Sequence, residues 1–388
     1  MVNPVYARMG TTIFEQMSGR ARASGAINLG QGFPDAPGDR DVLDAAARAL
    51  TERSNQYPPM AGLPELRAAV AAHYRDHQAL DLSPDEVTVT SGATEALAAA
   101  LFALISPGDE VLLFQPLYDA YLPLIARAGG TARLVRLEPP HWRLTADALN
   151  AAITPRTRLV VLNNPVNPTG TAMDRDELGL LAAFCVANDL VAICDEVWEH
   201  MIYDGAVHLP LMGFPGMRER TVKIGSAGKI FSLTGWKVGW MCAAPALSGV
   251  LARAHQFLTF TTPPNLQWAV AEGLGKPDQW FVDMRAGYQR GRDRLAGGLA
   301  EKGFAVLPSR ATWFLSIDLL ASSIMIDDAT FCDRAVAEAG VAAIPISAFF
   351  AERPVTHLVR LCFAKDLAVL DEAVARLAGF RERLIGEM

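Results

Sequence analysis

Val87-Thr88-Val89-Thr90-Ser91-Gly92-Ala93-Thr94-Glu95-Ala96 carries the plan of the chain. A β-branched run breaks at Gly92 and gives way to an Ala- and Leu-rich segment, which reads as strand, tight turn and helix. The rhythm recurs. Val111-Leu112-Leu113-Phe114 precedes a helix expected from Tyr118, and Leu134-Val135-Arg136-Leu137, Leu159-Val160-Val161-Leu162 and Val191-Ala192-Ile193-Cys194 follow, with a helix from Asp174 to Asn188 between the last two. Apolar runs that alternate with helices predict an α/β large domain whose mostly parallel sheet is covered by helices on both faces. In such sheets ligands gather at the carboxyl ends of the strands.

Upstream, residues 3–27 read as an extended entry and a helix with Ile13, Phe14 and Met17 on one face and Gly25 as its stop. Asp39 or Asp41 can cap a helix running to about Glu52. Asn28-Leu29-Gly30-Gln31-Gly32-Phe33-Pro34 fails as a dinucleotide fingerprint, because Asp35 stands where the third glycine belongs and prolines stand where the helix should start. Gly32 more simply lets backbone approach a ligand or another strand. Beyond about residue 275 the pattern changes to a long helix from Trp280 to Lys302, strands near Ala311–Ile317 and Leu358–Phe363, and a closing helix from Leu367. We expect a large domain over 41–274 and a smaller α+β domain, with an N-terminal arm, from 1–40 and 275–388.

Half of the 388 residues are hydrophobic, a fifth are charged, and the formal net charge is −7. No Lys/Arg run could neutralise a phosphate backbone, which excludes a nucleic-acid binder. Cys185, Cys194, Cys242, Cys332 and Cys362 are scattered in apolar segments with no Cys-x-x-Cys pair, so reduced thiols, no metal site and a cytoplasmic location are expected. Residues 1–6 lack a signal-peptide pattern, and the apolar segment Ala96 to Ile105 is half the length of a membrane span.

The strand ends carry the chemistry. Ser91-Gly92-Ala93-Thr94 offers free backbone N–H groups at a helix start, suited to a phosphate. Asn163-Asn164-Pro165-Val166-Asn167-Pro168-Thr169-Gly170, Asp195-Glu196 and Gly225-Ser226-Ala227-Gly228-Lys229 follow other strands. Gly228-Lys229 is no P-loop, since Lys223 and Ile230 occupy the positions that need Gly and Ser or Thr. In isolation Ser226-x-x-Lys229 would be a surface turn with solvated lysines. A phosphate cradle, a carboxylate, an amide and a lysine on one rim form instead the inventory of a pyridoxal 5′-phosphate site.

With these motifs in this order, from Asn28 through Asn167-Pro168-Thr169-Gly170 and Ser226-x-x-Lys229 to Arg360, the chain resembles the class I/II aminotransferases of fold-type I. It is most similar to the branch of kynurenine/glutamine and methionine aminotransferases. The resemblance implies that Lys229 forms the Schiff base with the cofactor aldehyde and moves the substrate Cα proton. It implies that Asp195 faces the pyridine nitrogen and that Asn167 donates to the phenolic oxygen. Gly92, Ala93, Thr94, Ser226 and Lys237 would hold the phosphate. Tyr118 would stack on the ring, and Tyr57 would reach the phosphate of a neighbouring subunit in a homodimer with shared sites. Trp198 departs from the family tyrosine at its position, since an indole N–H donates but neither accepts nor ionises. Arg360, a guanidinium amid apolar strand residues, would grip the substrate α-carboxylate with backbone of Gly32 beside it.

The segment His255-Gln256-Phe257-Leu258-Thr259-Phe260 is apolar where dicarboxylate-specific relatives present a second arginine, and Arg253 need not face the pocket. Phe260 and Tyr118 would wall a pocket for neutral donors, such as methionine, glutamine, leucine or an aromatic amino acid, with a 2-oxo acid as acceptor. Two other functions share these residues: a pyridoxal phosphate C–S β-lyase of the same fold, and a non-catalytic binding or regulatory protein.

Overall fold

The computed structural model describes residues 2–7 and 9–387. A seven-stranded sheet runs in the order Val87–Thr90, Gly239–Cys242, Thr221–Ser226, Val191–Asp195, Thr157–Asn163, Glu110–Gln115 and Thr131–Arg136. All pairings are parallel except those of Gly239–Cys242, which runs antiparallel to both neighbours. The expected mostly parallel α/β sheet is present.

Both faces are covered, as unbroken apolar runs require. Along Glu110–Gln115, Thr157–Asn163 and Val191–Asp195, the side chains Leu113, Val161 and Ile193 pack with Ala96, Leu97 and Ala100 of the helix Ala93–Leu104. Their alternates Leu112, Val160, Leu162 and Cys194 pack with Leu178, Leu181 and Cys185 of the helix Arg175–Ala187. That helix starts at a full capping box, in which Asp174 accepts from Asp176 and Glu177 backbone while the Glu177 carboxylate returns to Asp174.

A second, antiparallel sheet has the order Ile344–Pro345, Leu358–Cys362, Phe314–Asp318 and Ala305–Val306, with the helices Asp278–Glu301 and Leu367–Gly386 packed on each other beside it. The N-terminal strand Ile27–Asn28 joins Val341–Ala342 in parallel, after a helix Ile13–Ser24 that Gly25 closes in the left-handed conformation. Among the described residues no helix is long and apolar enough to cross a membrane.

Several boundaries moved from their expected places: the strand expected from Leu134 already starts at Thr131, and the entry expected to be extended holds a short helix, Pro4–Ala7. The helix expected from Tyr118 begins at Tyr121, after a turn at Asp119 and Ala120 that is closed by the Tyr121 N–H donating to Tyr118 O at 3.3 Å. The strand expected from Ala311 begins at Phe314, since Thr312 is left-handed at φ 65°.

Candidate active site

Register brings the strand ends together. Asn163 is paired with Asp195, Ser226 with Gly239, and Gly239 with Thr90, so the loops that leave these strands open on one rim. The cleft is lined by Gly92, Ala93, Thr94, Tyr118, Asn167, Asp195, Trp198, Ser226, Lys229 and Lys237. Its mouth adds Gly32 and Arg360.

At one end lies an anion cradle. The first N–H groups of the helix Ala93–Leu104 lack intrahelical acceptors and carry the positive end of its dipole. Gly92 precedes them at φ 79°, and a side chain there would meet Lys237 Nζ at 3.2 Å. Gly239 passes so close that a Cβ would lie 2.9 Å from Ala93 N. Backbone N–H, the Ser226 hydroxyl and the Lys237 ammonium thus face one space, which suits a phosphate.

Lys229 sits on the short helix Ala227–Ile230 that follows Ser226. Burial, with Lys237 and Arg360 nearby, brings its pKa down to about 8 against the opposing pull of Asp195. Its Nζ lies 4.6 Å from the ring centre of Trp198 and 5.3 Å from that of Trp313. Trp198 is buried edge-on against Trp313 and Phe314, so in place of a phenol it contributes an aromatic wall beside the amine.

Asp195 ends its strand buried. Its Oδ2 accepts from Tyr121 Oη at 2.6 Å, whereas its Oδ1 finds no hydrogen-bond donor among the described residues. A buried carboxylate oxygen left bare is an acceptor awaiting a partner. Asn167 is equally poised: its N–H donates to Asn163 Oδ1 at 2.9 Å and its Oδ1 accepts from Arg360 Nη1 at 2.7 Å, which leaves its amide N–H₂ for another acceptor.

Arg360 is 1% exposed and has no carboxylate partner among the described residues. Its Nη2 donates to Gly30 O at 2.6 Å, its Nε is unpaired, and its guanidinium lies 3.9 Å over the Phe314 ring. Burial lowers its pKa to about 9, still a cation at neutral pH. Gly32 is a glycine because a Cβ would strike Phe314 Cζ at 2.6 Å, so the close approach expected there is to that aromatic ring.

Tyr57 and Phe260 stand apart from the chain's own cleft. They are 82% and 40% exposed and meet edge to face at 5.5 Å. The Phe260 pocket wall expected beside Tyr118 is therefore not formed within one chain. Phe260 is left-handed at φ 64° with its N–H on His255 O, while buried His255 is tied to Glu95 and Met60 O, and this turns the ring outward. Arg253 is exposed.

Tyr121, Trp313 and Phe314 escaped the sequence reading, as did a buried network directly behind Asp195. There Lys223 Nζ bonds Glu196, and Glu199 at 2.7 Å, and His208 bonds Glu196 at 3.0 Å. Ligand atoms of Glu196, Glu199 and His208 lie within 4.8 Å of one another, but the lysine ammonium already fills the space a metal ion would take. Lys223 inside the run Thr221-Val222-Lys223-Ile224 was the available signal, since a charge on a buried strand must be paired.

The residues present fit pyridoxal 5′-phosphate: an amine of lowered pKa for its aldehyde, the bare Asp195 Oδ1 for its ring nitrogen, the Asn167 amide for its phenolic oxygen and an anion cradle for its phosphate.

Comparison with known proteins agrees. The family profile described as aminotransferase class I and II matches residues 24–377. A probable N-succinyldiaminopimelate aminotransferase of Mycobacterium tuberculosis is 46% identical, over 96% of this chain and 97% of its own. A methionine aminotransferase of Escherichia coli is 41% identical over 95% and 96%. The solved structure of the Mycobacterium tuberculosis N-succinyldiaminopimelate aminotransferase superposes with a TM-score of 0.94, covering 98% of this chain and 100% of that one. Over nearly its whole length, then, the chain belongs to the class I and II aminotransferases, transaminases that work with pyridoxal 5′-phosphate.

Proposed function

We propose that the chain moves the amino group of a neutral L-amino acid, apolar, aromatic, or of methionine or glutamine type, to a 2-oxo acid. One observation carries the donor class. The cations lining the cleft and its mouth, among the described residues, are Lys229, Lys237 and Arg360, while the acids at the mouth are Glu15 and Asp119. Each cation has a role in the reaction itself, so a distal carboxylate would meet no positive charge from this chain and would lose its hydration unpaid.

When bound, pyridoxal 5′-phosphate supplies an aldehyde that condenses with amines and a ring that accepts electrons. The chain's residues do the rest. Arg360 holds the donor α-carboxylate with its fork and fixes which face of the donor meets Lys229. Lys229 Nζ, displaced by the donor amine, takes the proton from the donor Cα. Asp195 presents Oδ1 as an anion toward the ring nitrogen, and Asn167 donates its amide N–H toward the phenolic oxygen. Gly92, Ala93, Thr94, Ser226 and Lys237 hold the phosphate, and Tyr118, Trp198 and Gly32 shape the walls.

The active unit we propose is a homodimer in which Tyr57 and Phe260 reach the partner's site. Support comes from the exposed apolar group Tyr57, Phe257, Leu258 and Phe260, 82%, 83%, 42% and 40% exposed. A cytoplasmic location is supported by five free, buried cysteines.

A donor panel tests the reading through kcat/KM with one 2-oxo acid acceptor. Methionine, glutamine, leucine and phenylalanine should outrun aspartate by at least about tenfold. N-succinyl-diaminopimelate, the donor class in the name of the Mycobacterium relative, should also be slower. Tenfold preference for either carboxylate-bearing donor would show that a cation reaches the pocket. Release of ammonia and a 2-oxo acid from a cysteine conjugate without any acceptor would favour the C–S β-lyase instead.

A further inference from the structure

Asp195 is gripped by a side chain from one direction only. Tyr121 Oη donates to Oδ2 at 2.6 Å, and Oδ1 is buried with no donor among the described residues. The Asp195 backbone carbonyl is held separately, by Asn163 Nδ2 and Asn164 N at 3.1 Å each. Tyr121 itself is fully packed as the first residue of the helix Tyr121–Ala128, with its ring edge-on to Tyr118 at 5.7 Å. Neither residue can rotate away without breaking the core around it.

We infer that Tyr121 is a positioning residue for the cofactor: it ties down one Asp195 oxygen so that the other is presented, ionised, to the ring nitrogen. The inference rests on the role proposed above for Asp195. Ionisation matters because only an anion keeps a ring nitrogen protonated through charge. Burial raises the Asp195 pKa, and Glu196 behind it pushes the same way. The Tyr121 hydrogen bond, the Val197 backbone N–H and Lys229 pull it down. Tyr121 cannot lose its proton in turn, since burial and Asp195 hold its phenol well above 10. Tyr118, the other phenol facing the pair, is pushed up to about 12 by burial and stays neutral. The donor role is therefore fixed across working pH.

The test titrates cofactor-free protein with pyridoxal 5′-phosphate and, separately, with its analogue bearing C–H in place of the ring nitrogen. Wild type should prefer the natural cofactor, and Asp195→Asn should remove most of that preference. Tyr121→Phe, which deletes one oxygen, should cut the preference about tenfold, the worth of a hydrogen bond to a buried carboxylate, while leaving affinity for the analogue within about twofold. Equal loss of both ligands in Tyr121→Phe would mean a packing role and overturn the inference. Unchanged preference in Tyr121→Phe with loss in Asp195→Asn would overturn it too, yet leave the Asp195 role standing. Unchanged preference in both would remove the Asp195 role and this inference together. Should Tyr121→Phe fail to fold, Tyr121→His, which keeps a ring and an N–H donor, should retain most of the preference, and loss of the preference there as complete as in Asp195→Asn would overturn the inference.

Discussion

Arg360 donates through Nη1 to Asn167 Oδ1 at 2.7 Å, which links the strand of one sheet to the loop that leaves the other. The bond fixes the Asn167 amide with its N–H₂ turned away from the guanidinium, and Asn167 is the only side chain that hydrogen-bonds Arg360 among the described residues. A cation so buried, resting on Phe314 and without a counter-ion among the described residues, is held ready for an anion that arrives with the substrate.

Replacing Arg360 with lysine should therefore be costly although charge is kept. A lysine is a point charge that cannot give a carboxylate two parallel bonds and hold Asn167 as well. We expect kcat/KM for any amino donor to fall about 100-fold or more, the usual loss on breaking a buried charge pair, while cofactor affinity falls far less. Steady-state kinetics and cofactor titration on one preparation check this. A loss below fivefold would mean that another group carries the α-carboxylate.

Lys229 should be recognisable as an amine of unusual acidity. With a pKa of about 8, roughly a tenth of it is neutral at pH 7, against well under a thousandth for an ordinary lysine. Its competitive labelling by acetic anhydride in cofactor-free protein should rise tenfold per pH unit to about pH 8 and then level off. Lys229→Ala should abolish turnover yet keep phosphate-borne cofactor binding. Turnover in that variant without added amine, or a labelling midpoint above pH 10, would remove Lys229 from its role.

The difference between what the sequence disclosed and what it hid follows from range. Strand, turn and helix around Val87–Leu104 are set by local pattern, as are the rim positions of Gly92, Asp195 and Lys229 at strand ends. Arg360 declared itself because a charge on an apolar strand has few reasons to exist. Tyr121 could not be singled out: its partner is 74 positions away, and a tyrosine at a helix start serves the core equally well. Trp313 reaches Lys229 only through the packing of the second sheet's surroundings against the first, and Phe314 reaches Arg360 through the pairing of Phe314–Asp318 with Leu358–Cys362, partners far apart in sequence. Phe260 was read from its neighbours in sequence, but its direction is decided by the left-handed turn that follows the helix Pro245–Leu258.

The buried network behind Asp195 gives a stability prediction whose sign can be checked. Burial alone would raise the Glu196 pKa, but Lys223 and His208 overcome it and hold it at about 2; reciprocally, Glu196 and Glu199 raise the Lys223 pKa against its own burial. A carboxylate with a depressed folded pKa contributes stability that is present above its unfolded value near 4.3 and is lost as pH falls through about 2. His73, brought down to about 4 chiefly by burial, adds a second loss that begins below 6.5. Lys223→Met should cost about 3–5 kcal/mol at pH 7, because two buried carboxylates lose their cation. In that variant burial should win and raise the Glu196 pKa, so the folded state would bind the proton more tightly than the unfolded chain. The stability of the variant relative to wild type should then recover on acidification from pH 7 to 4, and His73 adds to the recovery, because the Lys223 charge is one of the causes that lower its pKa. Urea unfolding of both proteins across that range measures it. A gap that stays constant with pH would mean that Lys223 acts by packing and not by charge.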